Sequence, residues 1–300
     1  MSNYHTPVML HECIEGLNIQ PGGTYVDVTF GGGGHSREIL KRLDDHGKLL
    51  AFDQDADAKQ NIIGDDRFIF IDQNFRYLKN FCRLYNAIPV DGILADLGVS
   101  SYQFDQAERG FSIRFNAELD MRMDQSTTLT AKEIINTYPE AELHRIFGMY
   151  GEIQNAKSLA NTIIAARFKA PIVTVSDLKN AIADRIPRGK ENKYLAQVFQ
   201  ALRIEVNQEL EALKDFLIQS AAVLNTGGRL VVMSYHSLED RLVKNFISKG
   251  KFSGEVEKDL YGNENKPFET VSRGAITASP DEIVKNNRAR SAKLRIAVKK

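Results

Sequence analysis

The feature that most constrains this chain is a run of four glycines, residues 31–34, between a strand pattern and a helix pattern. Residues 24–29 are β-branched and apolar, and residues 36–43 carry apolar side chains at helical spacing. Without Cβ atoms the turn can adopt positive φ and let a ligand lie against its backbone. The order strand, glycine turn, helix predicts a cofactor site, with a flexible surface loop as the alternative.

The second predicted strand, residues 48–52, supports the cofactor interpretation because it is followed by Asp53. Nucleotide-binding α/β folds hold the ribose hydroxyls with an acid about 20 residues after the glycine turn. The glycines do not match the dinucleotide pattern G-x-G-x-x-G, whose third position falls on Ser36 or Arg37. S-adenosylmethionine has adenosine but no pyrophosphate, so we expect it in preference to NAD.

Two further predicted strands end near residues that could face the same ligand. Phe75 follows the strand at residues 68–71, where it could stack on an adenine or close the pocket; a core aromatic is the alternative. Asp96 stands near the carboxyl end of the strand at residues 90–97. An acid at that end of a buried strand lies where a transferred group should sit, so we expect catalytic or binding use.

The alternation of strands and helices stops near residue 102, and only helical patterns follow until residue 219. The sheet resumes at residues 228–234, and a last strand at residues 293–298 is predicted to lie against it. We therefore expect an α/β sheet domain, residues 1–101 and 220–300, with an inserted helical domain, residues 102–219. The predicted helices of the insertion are residues 130–136, 140–148, 155–168, 176–185 and 194–219.

Composition and charge limit the function classes. The chain has 43% hydrophobic and 26% charged residues, no signal-peptide pattern and no long apolar run, so we expect a cytoplasmic protein without a membrane partner. The two cysteines, Cys13 and Cys82, predict buried reduced thiols, and the histidine spacing predicts no metal site. Residues 285–300 carry seven Lys and Arg and no acid, consistent with phosphate contacts or with a solvated terminus.

Seven blocks spread over the chain resemble the bacterial ribosomal RNA cytosine-N4 methyltransferases of the MraW/RsmH type. The resemblance implies a Rossmann-like class I methyltransferase sheet with an inserted helical domain for substrate recognition. It also implies methylation by S-adenosylmethionine of the N4 amine of a cytidine in 16S ribosomal RNA near the decoding centre. The blocks are residues 29–36 (TFGGGGHS), 96–101 (DLGVSS), 108–112 (ERGFS), 119–124 (LDMRMD), 199–204 (FQALRI), 234–241 (SYHSLEDR) and 288–295 (RARSAKLR).

The resemblance also assigns cofactor contacts. His35 and Gln103 rest on the resemblance alone, whereas the other contacts were also indicated by the residues themselves. The full set is Gly33, Gly34, His35, Asp53, Phe75, Asp96 and Gln103.

Catalysis of this reaction needs acceptors for the N–H groups of the cytosine amine, and RNA binding needs phosphate contacts. The candidates for catalysis are Asp96, Ser234 and His236. Ser237 is also the expected N-cap of the following helix, with Asp240 at the capping-box position. For each basic candidate an intramolecular salt bridge is the alternative to RNA contact. The candidates for substrate contact are Ser100, Ser101, Arg109, Ser237, Arg288, Arg290 and Lys293.

Two rival functions belong to other classes. A nucleotide-binding oxidoreductase is disfavoured by the missing third glycine, and a non-catalytic RNA-binding assembly factor by the presence of the glycine turn with Asp53 and Asp96. The expected partner is small-subunit ribosomal RNA or the assembled small ribosomal subunit. The sequence leaves the oligomeric state open, a homodimer included.

Overall fold

The computed structural model describes residues 7–300, which form two compact units. The sheet unit comprises the chain up to Gly98 together with Leu210–Lys300. The helical unit comprises Val99–Glu209. The chain therefore leaves the sheet unit after its fourth strand and returns to it before the fifth.

The sheet has seven strands in the order β3-β2-β1-β4-β5-β7-β6. The first five strands are parallel, and β7 lies antiparallel between β5 and β6. The last strand therefore lies against β5, as predicted, and its antiparallel direction is a finding of the structure. The strand order reverses between β1 and β4, and such a switch point is where α/β sheets bind ligands. The strands are β1 Thr24–Asp27, β2 Lys48–Phe52, β3 Phe68–Ile71, β4 Val90–Asp96, β5 Leu224–Ser234, β6 Phe268–Thr270 and β7 Lys293–Lys299.

Twelve α-helices lie within the described residues, and five short 3-10 helices supplement them. The 3-10 helices are Ala56–Asn61, Phe75–Tyr77, Ala107–Arg109, Ala183–Arg185 and Asn287–Ser291. The α-helices are α1 Leu10–Leu17, α2 Gly34–Leu40, α3 Leu78–Leu84, α4 Ser101–Asp105, α5 Ala131–Thr137, α6 Glu140–Met149, α7 Ala156–Lys169, α8 Val175–Ile182, α9 Glu191–Asn207, α10 Glu209–Val223, α11 Ser237–Lys249 and α12 Pro280–Lys285.

Helices cover both faces of the sheet, which explains why its strands are almost continuously apolar. Successive side chains of a strand point to opposite faces. On β2, Leu49 and Ala51 pack with α1 and α2, on what we call the front face. Leu50 and Phe52 pack with α3, α10 and α11, on the back face. These observations confirm the predicted α/β fold with its Rossmann-like sheet.

The helical unit has its own apolar core, to which helices α5 to α9 contribute. Met121 and Met123, from the block of residues 119–124, are buried in it. The predicted helix start at Thr130 is also confirmed, because Thr130 and Glu133 form a capping box at α5. Helix α8 starts with a second capping box, between Thr174 and Asp177.

One predicted element of the insertion is wrong. The helix expected over residues 194–219 is two helices, α9 and α10, separated by Gln208 in the left-handed conformation at φ 50°. Neither glycine nor proline marks this break, so the helical pattern continues through it. Leu213 and Phe216 of α10 pack on the back face of the sheet. The helical unit therefore ends at Glu209 and not at residue 219.

Two other sequence predictions concern the thiols and membrane spans. Cys13 and Cys82 are buried free thiols, as expected. Within residues 7–300, none of the helices combines the length and the apolar character that crossing a bilayer requires.

Candidate active site

The glycine turn joins the carboxyl end of β1 to α2 and is fixed by its own backbone. Gly31 and Gly33 adopt positive φ, 49° and 73°, and the Gly33 N–H donates to the Phe30 carbonyl at 2.7 Å. A Cβ on Gly34 would overlap the ring of Pro7, whereas a Cβ on Gly32 would meet nothing within 4 Å. The turn is therefore ordered and hydrogen-bonded, and it is open over Gly32.

Asp27 forms hydrogen bonds with residues on both sides of the glycine turn. It is the last residue of β1, is 1% exposed, and accepts hydrogen bonds from the Ser36 hydroxyl at 2.7 Å and the Thr29 N–H at 3.1 Å. Burial raises the pKa of Asp27, and these hydrogen bonds oppose the rise. Asp27 was not among the predicted site residues, although it closes a buried strand as Asp96 does.

Asp53 follows β2, and its carboxylate forms a hydrogen bond with the backbone of the glycine turn. Its Oδ2 accepts from the Gly31 N–H at 2.8 Å and its Oδ1 from the Asp55 N–H at 2.9 Å. Burial raises the pKa of Asp53 to about 6, and the two N–H groups oppose the rise. Each carboxylate oxygen can accept more than one hydrogen bond, so Asp53 can hold the turn and still accept from hydroxyl groups of a ligand.

Phe75 begins the 3-10 helix after β3. Its ring packs edge-on against Phe216, with the ring centroids 5.6 Å apart, and the side chain is half-buried. Next to it, the Asn74 amide donates to the Gln54 side chain at 2.7 Å and ties the segments that follow β2 and β3 together. Phe75 is thus partly a core residue and partly accessible near Asp53.

Asp96 ends β4 on the opposite side of the turn. Its N–H donates to the Thr29 hydroxyl at 2.7 Å, and its Oδ1 accepts from the Tyr235 hydroxyl at 2.7 Å. Burial raises the pKa of Asp96 to about 6; His35 and Tyr235 lower it, while the charges of Asp27 and Glu239 raise it. No other hydrogen bond to the Asp96 carboxylate occurs within residues 7–300, so Oδ2 can accept from a ligand.

His35, the second residue of α2, is 5% exposed. Burial lowers its pKa, and the charge of Asp96 and a hydrogen bond to the Val8 backbone oppose that effect. Its buried Nε2 has no hydrogen-bond partner within the described part of the chain. With the other ring nitrogen donating to Val8, a neutral His35 presents Nε2 as an unused acceptor.

Strand alternation places these groups on one face. Asp27, Asp53 and Asp96 follow front-face residues by two positions along β1, β2 and β4. Ser234 lies on the back-face side of β5, two residues after Val232, and is 2% exposed. Its hydroxyl donates to the Lys293 carbonyl of β7 at 3.4 Å. The structure therefore does not bring Ser234 beside Asp96, and it places Tyr235 there instead.

The residues after β5 form the start of α11, and here the predicted N-cap is wrong. The cap is His236, whose Nδ1 accepts from the Glu239 N–H at 3.5 Å, while the Glu239 carboxylate accepts from the Tyr235 N–H at 3.0 Å. The His236 Nε2 lies 3.1 Å from the Glu239 carboxylate. Ser237 is exposed, one position inside the helix. Histidine is not among the residues that usually cap helices, whereas serine is, so the sequence favoured Ser237 as the N-cap.

The basic candidates of the sheet unit differ in exposure. Arg290 and Lys293 are exposed, and the Lys293 ammonium lies 3.5 Å from Asp240. Arg288 is half-buried in its 3-10 helix. Asp240 is not a capping-box residue, because its carboxylate binds Arg295 at 2.7 Å. RNA contact by these three basic residues stays a prediction.

The remaining predicted site residues belong to the helical unit. Ser100 and Gln103 form a capping box at the start of α4, next to Ser101, and Gln103 is buried. Arg109 is 5% exposed and donates to the carbonyl oxygens of Arg122 at 3.0 Å and Met123 at 3.3 Å. The phosphate contact predicted for Arg109 therefore finds no support, because its guanidinium is occupied inside the unit.

Comparisons with known proteins cover nearly the whole chain. A family model described as the MraW methylase family matches residues 2–300. A protein from Cytophaga hutchinsonii is 62% identical over 297 residues, covering 98% of this chain and 99% of its own length. One from Flavobacterium psychrophilum is 59% identical, covering 97% and 100%, and one from Christiangramia forsetii is 57% identical, covering 100% and 99%. All three are named ribosomal RNA small subunit methyltransferase H.

Proposed function

The chain belongs to the MraW methylase family, and on that premise we propose that it transfers a methyl group from S-adenosylmethionine to the N4 amine of a cytidine in 16S ribosomal RNA, near the decoding centre. The substrate class is supported by the names of the relatives, and the cytosine N4 target by the resemblance of the motif blocks. The observation that carries the proposal is the pair of carboxylates, Asp53 and Asp96, on either side of an open glycine turn.

The residues around the turn fit S-adenosylmethionine. Asp53 has acceptor capacity for two ribose hydroxyls, and the open side of Gly32 leaves room for the cofactor against the backbone. The unused acceptor of His35 suits a donor such as the ammonium group of the methionine part. The accessible part of Phe75 can pack on the adenine.

When bound, S-adenosylmethionine supplies a methyl group already activated for in-line displacement by its positive sulfur. The cytosine amine is a poor nucleophile because its lone pair is delocalised into the ring. An acceptor for its N–H groups favours the tetrahedral nitrogen that develops in the transition state. We assign this task to Oδ2 of Asp96; the hydrogen bond from Tyr235 to Oδ1 of the same carboxylate, which orients the group, supports the assignment.

The proton released from the methylated nitrogen has a nearby acceptor. With a pKa of about 6, Asp96 is ionised at neutral pH and can take that proton or pass it to water. His236 is less suited to the task, because its Nδ1 already caps α11 and its Nε2 faces Glu239. We therefore assign the acceptor role to Asp96.

The experiment is methyl transfer from labelled S-adenosylmethionine to small ribosomal subunits and to protein-free 16S RNA, followed by nucleoside analysis. We expect label on cytosine N4 with the wild type and at least a hundredfold lower rate with Asp96→Asn. Asp72→Asn is the matched control, since Asp72 is an exposed acid directly after β3. Label on another atom would refute the N4 target. Cofactor binding without transfer to any substrate would favour the assembly-factor alternative.

A further inference from the structure

The helical unit contains a polar groove formed by α6, α7 and the 3-10 helix Ala183–Arg185. Its volume is about 630 Å³. The side chains that line it include His144, Lys157 and Arg185, and the others are amides, hydroxyls and one alanine. No carboxylate lines the groove, so its polar surface is made mainly of hydrogen-bond donors and groups that can donate.

Hydrogen bonds hold the groove in shape. The Asn155 amide donates to the Arg185 carbonyl at 3.0 Å and accepts from the Tyr194 hydroxyl at 2.9 Å, so it joins the starts of α7 and α9 to the 3-10 helix. The Arg185 guanidinium donates to the Ser158 hydroxyl at 3.2 Å. Lys157 and Arg185 are therefore presented from helices that these hydrogen bonds join.

A basic segment of the chain follows Arg185, a lining residue of the groove. Arg185 is followed by Arg188, Lys190 and Lys193, and all four are exposed, as is Lys157. None of these five cations forms an ion pair within residues 7–300. We name this set the basic groove. By contrast, Arg122, Arg145 and Arg203 of the same unit are paired with carboxylates.

The acids near the basic groove do not neutralise it. Asp184 and Glu191 lie within the segment, and Glu191 accepts from the Gly189 N–H at 2.9 Å. Glu140 accepts from the Asn161 amide, in the orientation of that amide that satisfies both groups. The segment from residue 184 to 193 still carries four cations against two acids.

We propose that the basic groove, Lys157, Arg185, Arg188, Lys190 and Lys193, binds the phosphodiester backbone of the RNA substrate. The inference rests on the proposed function, since it takes RNA as the substrate, and adds a contact surface on the helical unit. Phosphates accept hydrogen bonds and attract unpaired cations, and such contacts position a nucleic acid without reading its sequence. A donor-rich polar groove without apolar anchor residues suits RNA better than a protein partner.

The test compares two double variants with the same charge change. Lys157→Gln with Arg188→Gln removes two cations of the basic groove whose side chains form no hydrogen bond among the described residues. Arg114→Gln with Lys169→Gln is the control, because both are exposed and belong to the same unit. Lys169 ends α7, about 18 Å along the helix from Lys157 at 1.5 Å per residue. RNA affinity is measured against salt concentration, and methyl transfer kinetics and cofactor binding are measured on the same samples.

For the groove variant we expect the slope of log affinity against log salt to fall by about 1.5, since each lost phosphate contact contributes about 0.7 to 0.9. KM for RNA should rise several-fold with kcat and cofactor affinity unchanged. A slope equal to that of the control variant overturns the inference. A defect with assembled subunits but not with protein-free RNA also overturns it, since the groove would then contact protein. If the wild-type protein binds RNA but transfers no methyl group to it, the proposed function is refuted. The salt slopes of the two double variants would still decide whether the basic groove binds that RNA.

Discussion

The hydroxyl of Tyr235 donates to Oδ1 of Asp96 across 2.7 Å, and both residues lie at the carboxyl ends of neighbouring parallel strands. Burial raises the pKa of Tyr235 well above its usual value, with the Asp96 charge next in effect, so the phenol stays protonated and remains a donor. A donor to a carboxylate stabilises its charged form. Tyr235 therefore holds Asp96 in one orientation and favours its ionisation.

Replacing Tyr235 by Phe should move the acid limb of the pH profile of kcat to higher pH. The pKa of Asp96 is about 6 with the tyrosine in place, and loss of the hydrogen bond raises it further. His35, Asp27, Glu239 and Cys13 also face this group, and the substitution leaves them unchanged. The measurement is the rate of methyl transfer from about pH 5 to about pH 9, roughly two units on either side of neutrality.

The control for this experiment is Tyr25→Phe, on β1. Tyr25 is a buried tyrosine of the same front face, but its hydroxyl accepts from the Gln20 N–H at 2.7 Å and does not touch Asp96. Its removal should lower stability by about 1 kcal/mol without moving the acid limb. An acid limb that stays in place with Tyr235→Phe would show that the tyrosine does not tune Asp96.

Asp96→Asn should stabilise the folded protein, although it lowers the rate of methyl transfer at least a hundredfold. Folding raises the pKa of Asp96 from 3.8 to about 6, so the wild type loses stability as the pH rises through that window and carries the full cost above it. Asn keeps an acceptor for Tyr235 but has no charge to bury. We expect the variant to be more stable by about 1–2 kcal/mol at pH 8.

Urea unfolding at two pH values checks the sign of this effect. The difference between Asp96→Asn and the wild type should be largest near pH 8 and should shrink towards pH 4, about where the unfolded carboxyl titrates. Destabilisation at pH 8 would mean that the ionised carboxylate is held by favourable contacts that outweigh its burial.

Strands β1 to β4 could be predicted from the sequence because each is a short, mainly apolar and largely buried run. The strands Lys48–Phe52 and Phe68–Ile71 match the prediction residue for residue. The break at Gln208 could not be predicted, because no glycine or proline marks it and α10 is defined by its packing on the sheet. Long-range packing leaves no local signal of that kind.

The residues of the candidate site also differ in whether the local sequence indicates them. Asp53 and Asp96 could be proposed from the sequence because acids at the ends of apolar strands stand out. Tyr235 was missed because its partner lies 139 residues away and a tyrosine after a strand has many ordinary uses. Arg109 was overvalued for the opposite reason, since a basic residue in a polar segment gives no sign that its guanidinium is buried.

Arg109→Ala should therefore act on stability and not on RNA contact. The guanidinium satisfies the carbonyl oxygens of Arg122 and Met123 and lies over the Phe111 ring, 5.9 Å from its centre. Its removal leaves buried acceptors without a partner, and we expect a loss of about 2–4 kcal/mol. Unfolding by urea measures the loss, and the salt slope of RNA binding at a temperature where the variant is folded should stay at the wild-type value. A smaller slope would return Arg109 to the phosphate contacts.

Gly32→Ala and Gly33→Ala distinguish an effect on cofactor binding from an effect on the conformation of the glycine turn. A Cβ on Gly33 would sit at φ 73°, 2.8 Å from the Arg37 guanidinium and 2.9 Å from the Phe30 ring, so this variant should lose about 1–3 kcal/mol of stability. A Cβ on Gly32 meets nothing within 4 Å, so its stability should stay within about 0.5 kcal/mol of the wild type. If the cofactor lies against Gly32, that methyl group should still lower its affinity at least tenfold. Titration calorimetry with S-adenosylmethionine measures the affinity, and an unchanged value for Gly32→Ala would place the ligand elsewhere on the sheet unit.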